Sequence, residues 1–541
     1  MMLQQVQSSS TTGEIITSDH KRSKKLIATR RLLLVLIILT SGAILLIQSL
    51  AAGHISAEHV YDDGVYFAAS LNVVHGIIPY KDFVFVQPPL ITVWLAPLGF
   101  LAHFTGTRWA FQAARLFTDL VMILNVCLVA FLLRRRSTIR MLLGVGTMAF
   151  SENIFWASRT ILIEPYLIAL CLGALIAMIE NEAITSSAQR MWIAGIFFGL
   201  AGATKIWAIF PMLIALVILW GFQPKQRTRL VGGTAIGFFA SVVPFAVLAP
   251  LAFLKEVVIT QMLRAPNGLG LFQRLLDLTG IPNLYYLKYI NTFLADSVLI
   301  AIYLLIAILI LNSLRTWKLY TGTHLELLST ASTALVGLSF VLAHSYFKNY
   351  GGFITPYLAI SLATITYPFK PSTSSKKLLS IGIITFVLFT FAWQDFQLAI
   401  SPGVAAINQV NSQTESALGT GGCLWAADPA LAILANRYTG DQANCPHTVD
   451  WGGTELLLIH SYKQSATLSN VQLQNDFLEW LKESNRLEVS KGAFANAATE
   501  YLNKYFHPVT YRSPGRLNEV FYYRNKTVTT NPAQARAAVE H

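Results

Sequence analysis

Charge is what this chain has least of. Only 13% of its 541 residues are charged, while 54% are hydrophobic. Soluble domains run near a quarter charged, so an ordinary soluble domain is excluded and a polytopic α-helical membrane protein is expected. Cysteine is scarce, at 4 residues, and no cluster of Cys and His at metal-ligand spacing occurs. No internal repeat is present. The formal charge of +12 would suggest a nucleic-acid partner in a soluble chain. Here the basic residues fall in short loops between apolar runs, where they report topology, and no nucleic-acid partner is expected.

What is abundant is apolar runs. Residues 1–31 are polar and basic and read as a disordered cytoplasmic N-terminus, ending in Arg30-Arg31. The run 32–50 is too long for a signal-peptide core and matches the ~20 residues needed to span a bilayer. Further runs lie at 112–133, 140–157, 160–179, 191–204, 206–221, 229–250, 295–313, 327–345, 350–367 and 378–396. The run 88–105 is ambiguous. If it spanned, Arg134-Arg135-Arg136 would lie outside, so it is expected to lie along the outer leaflet, as Pro88, Pro89 and Pro97 suit. About eleven spans result, with the N-terminus inside, a first outer loop at 51–111 and a transmembrane unit covering 32–399. The outer loop 251–294 carries helical periodicity with interspersed charges, which suits an interfacial amphipathic helix.

After Trp393 the composition turns soluble. Residues 400–525 are expected to form an extracytoplasmic mixed α/β domain, and 526–541 a disordered tail. Cys423 and Cys445 fall in that outer domain, where an oxidising compartment permits a disulfide between them. Cys127 and Cys171 lie within apolar runs and suit small core positions. Trp425, Tyr438 and Trp451 suit either sugar stacking or core packing.

Charges at a membrane edge are expensive and usually functional. With this topology they gather on the outer side: Asp62, Asp63, Asp82 and Gln87 in the first loop, Arg159 and Glu164 at the second turn, Lys205 at the third, and His344, Tyr346, Lys348 and Tyr350 at the fifth. Acidic groups beside several cations there suit a lipid phosphate and a hydroxyl acceptor. Plainer readings stand beside this one. The Asp62-Asp63 pair could cap a helix, Arg159 could pair with Glu164 or Glu152, and Lys205 could snorkel. His344, Lys348, Tyr346 and Tyr350 could be interfacial anchors. Asp119, inside a span, has Arg115 one turn before it and could pair with it.

Tyr61-Asp62-Asp63-Gly64-Val65-Tyr66, Ile78-Pro79-Tyr80-Lys81-Asp82-Phe83 and Gln87-Pro88-Pro89 resemble the first outer loop of GT-C glycosyltransferases that use polyprenyl-phosphate sugars. These include protein O-mannosyltransferases, aminoarabinose transferases and actinobacterial arabinosyltransferases. Ser158-Arg159 with Glu164-Pro165, Gly202-Ala203-Thr204-Lys205, and Tyr350 through Thr355-Pro356 extend the resemblance over roughly 30–400. It implies a plasma-membrane hexosyl- or pentosyltransferase, inverting, with a polyprenyl-phosphate sugar donor and a glycan, lipid or protein acceptor. Asp62 would be the general base and Asp63 would orient the acceptor or a cation. Arg159, Lys205 and Lys348 would hold the departing phosphate. The family often has His-Pro-Pro where this chain has Gln87-Pro88-Pro89, and Asp-Glu where it has Asp62-Asp63. Some relatives bind a divalent cation there, which leaves metal use open. A transporter or lipid flippase, or a non-catalytic component that binds cell-wall polymer, are the other classes.

Overall fold

The structure is a computed structural model that describes residues 28–281, 296–300, 302–304, 307, 311, 322–364, 374–401, 409–419, 422–438, 449–460, 464–509 and 519–524. The N-terminal 1–27, most of the run 295–313, Arg315, Lys318, Lys370, Cys445 and the tail 526–541 lie outside the described residues. Cys423 is disulfide-bonded, and Cys127 and Cys171 are free.

Among the described residues five helices are long and apolar enough to cross a membrane: Ala28–Leu50 (α1), Thr107–Leu132, Pro224–Ala246, His324–Leu342 and Leu379–Ile400. After α1 the chain's first half runs Tyr61–Val74 (α2), Leu90–Thr105 (α3), Thr107–Leu132 (α4), Thr138–Phe150 (α5), Glu152–Ala157 (α6), Glu164–Met178 (α7), Ala188–Thr204 (α8), Ile209–Phe222 (α9) and Pro224–Ala246 (α10). A two-residue hairpin, Ile179–Glu180 (β1) with Ala183–Ile184 (β2), joins α7 to α8. The helices Gly351–Thr364 and Ser374–Ile400 follow His324–Leu342. Their buried Leu, Val, Ile, Met and Phe side chains form one continuous core.

α3 packs along α2 and α4. It leaves Val93, Trp94, Phe100 and Phe104 exposed, which suits a helix whose outer side meets lipid. α2, α3 and the start of α4 share a second core with the C-terminal segment, through Phe67, Phe111, Leu424, Leu431, Leu434 and Tyr438 among others. That segment holds a four-stranded sheet in the order β3-β4-β6-β5. Leu424–Ala426 (β3) runs parallel to Arg486–Ser490 (β4), and Glu519–Arg524 (β6) pairs antiparallel with both β4 and Phe506–Pro508 (β5). Trp425 and Trp451 sit in its aromatic core with Phe477, Trp480 and Phe494. Tyr438 is buried, and its hydroxyl donates to Asn72 Oδ1 at 3.1 Å. All three aromatics are therefore packing residues.

α8 and α10 meet through glycine. A Cβ on Gly195 would stand 2.3 Å from Leu230 O, and one on Gly199 2.3 Å from Thr234 O. From the other side, a Cβ on Gly233 would stand 2.4 Å from Trp192 O and one on Gly237 2.4 Å from Ile196 O. Both helices thus carry the glycine spacing of four that lets membrane helices touch backbone to backbone. Gly199→Leu is expected to force the pair apart and destabilise by about 1–3 kcal/mol or more. Gly202→Ala, whose new methyl would meet only Phe238 at 3.5 Å, should be tolerated. Monodisperse yield and melting temperature in detergent separate the two outcomes.

Candidate functional site

The two adjacent aspartates do different things. Val60, in extended conformation, is the N-cap of α2, so Asp62 and Asp63 occupy the first turn rather than the cap. Carboxylates there face the positive end of the helix. Successive residues on a helix point about 100° apart. Asp63 is 0% exposed, and its Oδ2 lies 2.6 Å from Arg115 Nη2 and accepts from the Thr160 hydroxyl. Arg115 also donates to Ile55 O at 2.8 Å and His54 O at 3.3 Å. The anticipated Arg115–Asp119 pair is not formed; Asp119 Oδ2 instead accepts from Ser49 at 2.6 Å. Asp63 is thus held in a buried ion pair with Arg115.

Asp62 is the partly exposed member. The Tyr66 hydroxyl donates to its Oδ2 at 3.4 Å. Burial pushes its carboxyl above the ordinary range, while Lys205 and Arg264 pull it back down. Lys205 stands at the end of α8, where the chain turns extended. Its ammonium is 2.8 Å from Glu164 Oε1, 3.6 Å from the Trp207 ring centre and 4.4 Å from that of Tyr350. Burial pulls the lysine down, and Glu164 restores part of the loss. Glu164 opens α7, with Pro165 beside it in the first turn, where proline's fixed φ suits a helix start. Glu164 thus pairs with Lys205, not with Arg159.

A second nest forms around Trp156. The Lys348 ammonium lies 4.5 Å from its ring centre and the Arg159 guanidinium 4.9 Å. The indole N–H donates to Glu152 Oε1 at 2.9 Å, and Lys348 pairs with the same oxygen. The partner of Glu152 is therefore Lys348 rather than Arg159. Among the described residues Arg159 makes no ion pair.

The other singled-out residues stand apart. Asp82 is exposed and closes its own turn, accepting from Ile78 N at 2.7 Å and pairing with Lys81 at 3.6 Å. Gln87 contributes its carbonyl to the Tyr80 hydroxyl at 2.6 Å. His344 is exposed, and its carbonyl accepts from Arg274 at 3.3 Å. Tyr346 is 0% exposed within the bundle core.

Three further polar residues escape sequence reasoning. Arg264 lies with its guanidinium 5.0 Å over the Phe347 ring. Glu256, in a π-helical turn Leu254–Ile259, accepts from Phe85 N at 2.8 Å, and burial raises its carboxyl to about 8. Asp450 is buried beside Tyr61, and burial raises its carboxyl to about 6. The π-turn of Glu256 has no simple sequence signal; Asp450 before Trp451-Gly452-Gly453 carries the signal of a helix cap only. Among the described residues no group of three His, Cys, Asp or Glu side chains could hold a metal ion.

Asp63→Ala leaves Arg115 buried and unpaired, so a loss of about 3–5 kcal/mol is expected. Asp62→Asn should leave the melting temperature unchanged or raised. Thermal unfolding of the two variants in detergent checks the asymmetry. A second outcome follows from Asp450 and Glu256, which hold protons in the folded state that the unfolded chain has released. Stability should fall as pH rises, starting above the ordinary carboxylate range and levelling off past about 6 for Asp450 and about 8 for Glu256. Glu256→Gln should flatten the upper part of that slope in melting curves taken at successive pH values.

No protein-family model matches the sequence, and no curated protein matches it either. Solved structures do match. ArnT from Cupriavidus metallidurans, bound to undecaprenyl phosphate, is 13% identical with a TM-score of 0.57, covering 91% of this chain and 98% of that one. Its apo state gives a TM-score of 0.58 at 13% identity, covering 90% of this chain and 97% of that one. The apo oligosaccharyltransferase of Archaeoglobus fulgidus gives a TM-score of 0.51 at 12% identity, covering 92% and 74% of the two chains. The chain thus shares the fold of ArnT and of the archaeal oligosaccharyltransferase, and with five described helices long and apolar enough to cross a membrane it is an integral membrane protein.

Proposed function

We propose that the chain is a membrane glycosyltransferase that moves a sugar from a polyprenyl-phosphate donor to a cell-envelope acceptor. The site faces the outside of the plasma membrane and the N-terminus faces the cytoplasm. The observation that carries this reading is the setting of Asp62: a partly exposed carboxylate on which the charges of Lys205 and Arg264 bear, with the cations Arg159 and Lys348 gathered on Trp156. The fold it shares with ArnT, whose solved structure holds undecaprenyl phosphate, supports the donor class.

The chemistry follows from these charges. The acceptor oxygen attacks the anomeric carbon as the bond from that carbon to the phosphate oxygen breaks, so configuration inverts. Asp62 takes the acceptor's proton. Burial makes it a stronger base than a solvated aspartate, and the nearby cations favour its charged form. The phosphate leaves with its charge facing Arg159, Lys205 and Lys348. No observation favours a transporter or flippase, since the charged groups described here collect at one end of the bundle.

Purified protein incubated with a panel of polyprenyl-phosphate sugars and cell-envelope acceptors should give one glycosylated product by mass, with inverted anomeric configuration by NMR. Asp62→Asn should lower turnover by about 10²–10⁴-fold while donor binding persists. Arg159→Gln should weaken donor capture. Full turnover in Asp62→Asn would remove that residue as the base.

A further inference from the structure

The C-terminal segment does more than cover the site. Tyr61, the residue before Asp62, is tied to it twice. Its hydroxyl accepts from Gly452 N at 2.8 Å and donates to Asp450 Oδ1 at 3.2 Å. One turn on, α2 presses against the helix Pro429–Leu434: a Cβ on Gly64 would stand 2.4 Å from Ala430 N. Asp450 also caps the helix Trp451–Ile459, accepting from Gly453 N at 2.7 Å.

Capping alone does not account for Asp450. Serine or asparagine caps as well and brings no charge. Asp450 is 5% exposed, and among the described residues it makes no ion pair. The charged and titratable groups that bear on it are Asp62 and Tyr61 of α2, with Glu256 from the π-helical turn and Tyr66 further along α2. Asp428 adds to the negative field at Tyr61. Those that bear on Asp62 are Lys205, Arg264, Glu164 and Tyr66. A buried carboxylate set against another carboxylate is destabilising for the fold, so its charge has a use at the site.

We propose that Asp450, acting through the Tyr61 hydroxyl, is a positioning residue by which the C-terminal segment fixes Asp62 and sets the charge around it. This rests on the reading of Asp62 as the general base. Repulsion between Asp450 and Asp62 is mutual, so an ionised Asp450 holds Asp62 as a stronger base. The Tyr61 bonds fix the start of α2, and with it the direction of the neighbouring carboxylate.

Infrared titration of the full chain in detergent reads carboxyl protonation without any substrate. A carboxyl band titrating near pH 6 in the wild type, where Asp450 stands at about 6, should vanish in Asp450→Asn, and the Asp62 band, identified by its loss in Asp62→Asn, should move to lower pH. The acid limb of the kcat/KM profile should move the same way. Tyr61→Phe should lower kcat about tenfold or more through misplacement of the base, with donor KM unchanged. Asp450→Ser, a neutral cap, serves if Asp450→Asn does not fold. An Asp62 band unmoved in either Asp450 variant, or wild-type kcat in Tyr61→Phe, overturns the inference. Persistent transfer by Asp62→Asn instead overturns the base assignment, and the infrared shift still reports whether the two carboxylates are coupled.

Discussion

The buried pair of Asp63 and Arg115 is the constraint on which the site depends. Removing two charges from water costs several kcal/mol per ion, and close contact offsets this only when further hydrogen bonds satisfy both groups. Here they do. Arg115 spreads its donors over Asp63, Ile55 O and His54 O, and Asp63 also accepts from Thr160. One interaction therefore ties together four segments: the link after α1, the first turn of α2, the middle of α4 and the turn between α6 and α7. Once Asp63 is fixed, the helix fixes Asp62, one residue away and about 100° around the axis. The acidic pair is a buried, ion-paired carboxylate and a partly exposed one side by side.

The same logic extends outward in layers. The first loop does not pack on the bundle alone; α2, α3 and α4 share a core with the C-terminal segment. The second loop sits above it, held to the first by Glu256 on Phe85 N and by Gln261 on Val86 O at 2.7 Å. It meets the C-terminal segment where Ala265 N donates to His460 O at 3.1 Å. Asp62 thus stands among charges from three separate parts of the chain: Lys205 at the end of α8, Arg264 from the loop and Asp450 from the C-terminal side.

Much of the fold was legible because hydropathy is a local signal. The apolar runs within the described residues correspond to helices, and the acidic-loop motif pointed to the fold that the solved structures share. The gathering of Asp62, Glu164, Lys205 and Tyr350 followed from which loops share an end. Pairing was not legible. Arg115 has Asp119 one turn away, yet reaches Asp63, 52 residues back in sequence. Only the packing of α2 on α4 decides between them. Arg159 has both Glu152 and Glu164 close in sequence, and each is claimed by a lysine from elsewhere. The glycine spacing at Gly195, Gly199, Gly233 and Gly237 was visible, but it carries meaning only once the two helices are known to be neighbours. Asp450 looked like any helix cap because its second role depends on a hydroxyl from the first loop.

The pairing decides which cation would meet an incoming phosphate in the proposed reaction. Lys205 is compensated by Glu164, which is 1% exposed and has no hydrogen bond at Oε2. Moving the lysine to a phosphate would strand that carboxylate, at a cost of about 3–5 kcal/mol. Lys348 faces the same competition from Glu152, though it is more exposed and its pair is cheaper to exchange. Arg159 has no carboxylate to leave. Its charge rests on the face of Trp156, an interaction of about 0.5–2 kcal/mol, which a charge-assisted bond to phosphate can replace or join. Guanidinium also matches phosphate with two parallel donors, where an ammonium offers a point charge. The net positive charge available to a donor phosphate is therefore concentrated on Arg159, with Lys348 second. In the proposed reaction Lys205 would act chiefly through its field on Asp62, which favours the charged carboxylate.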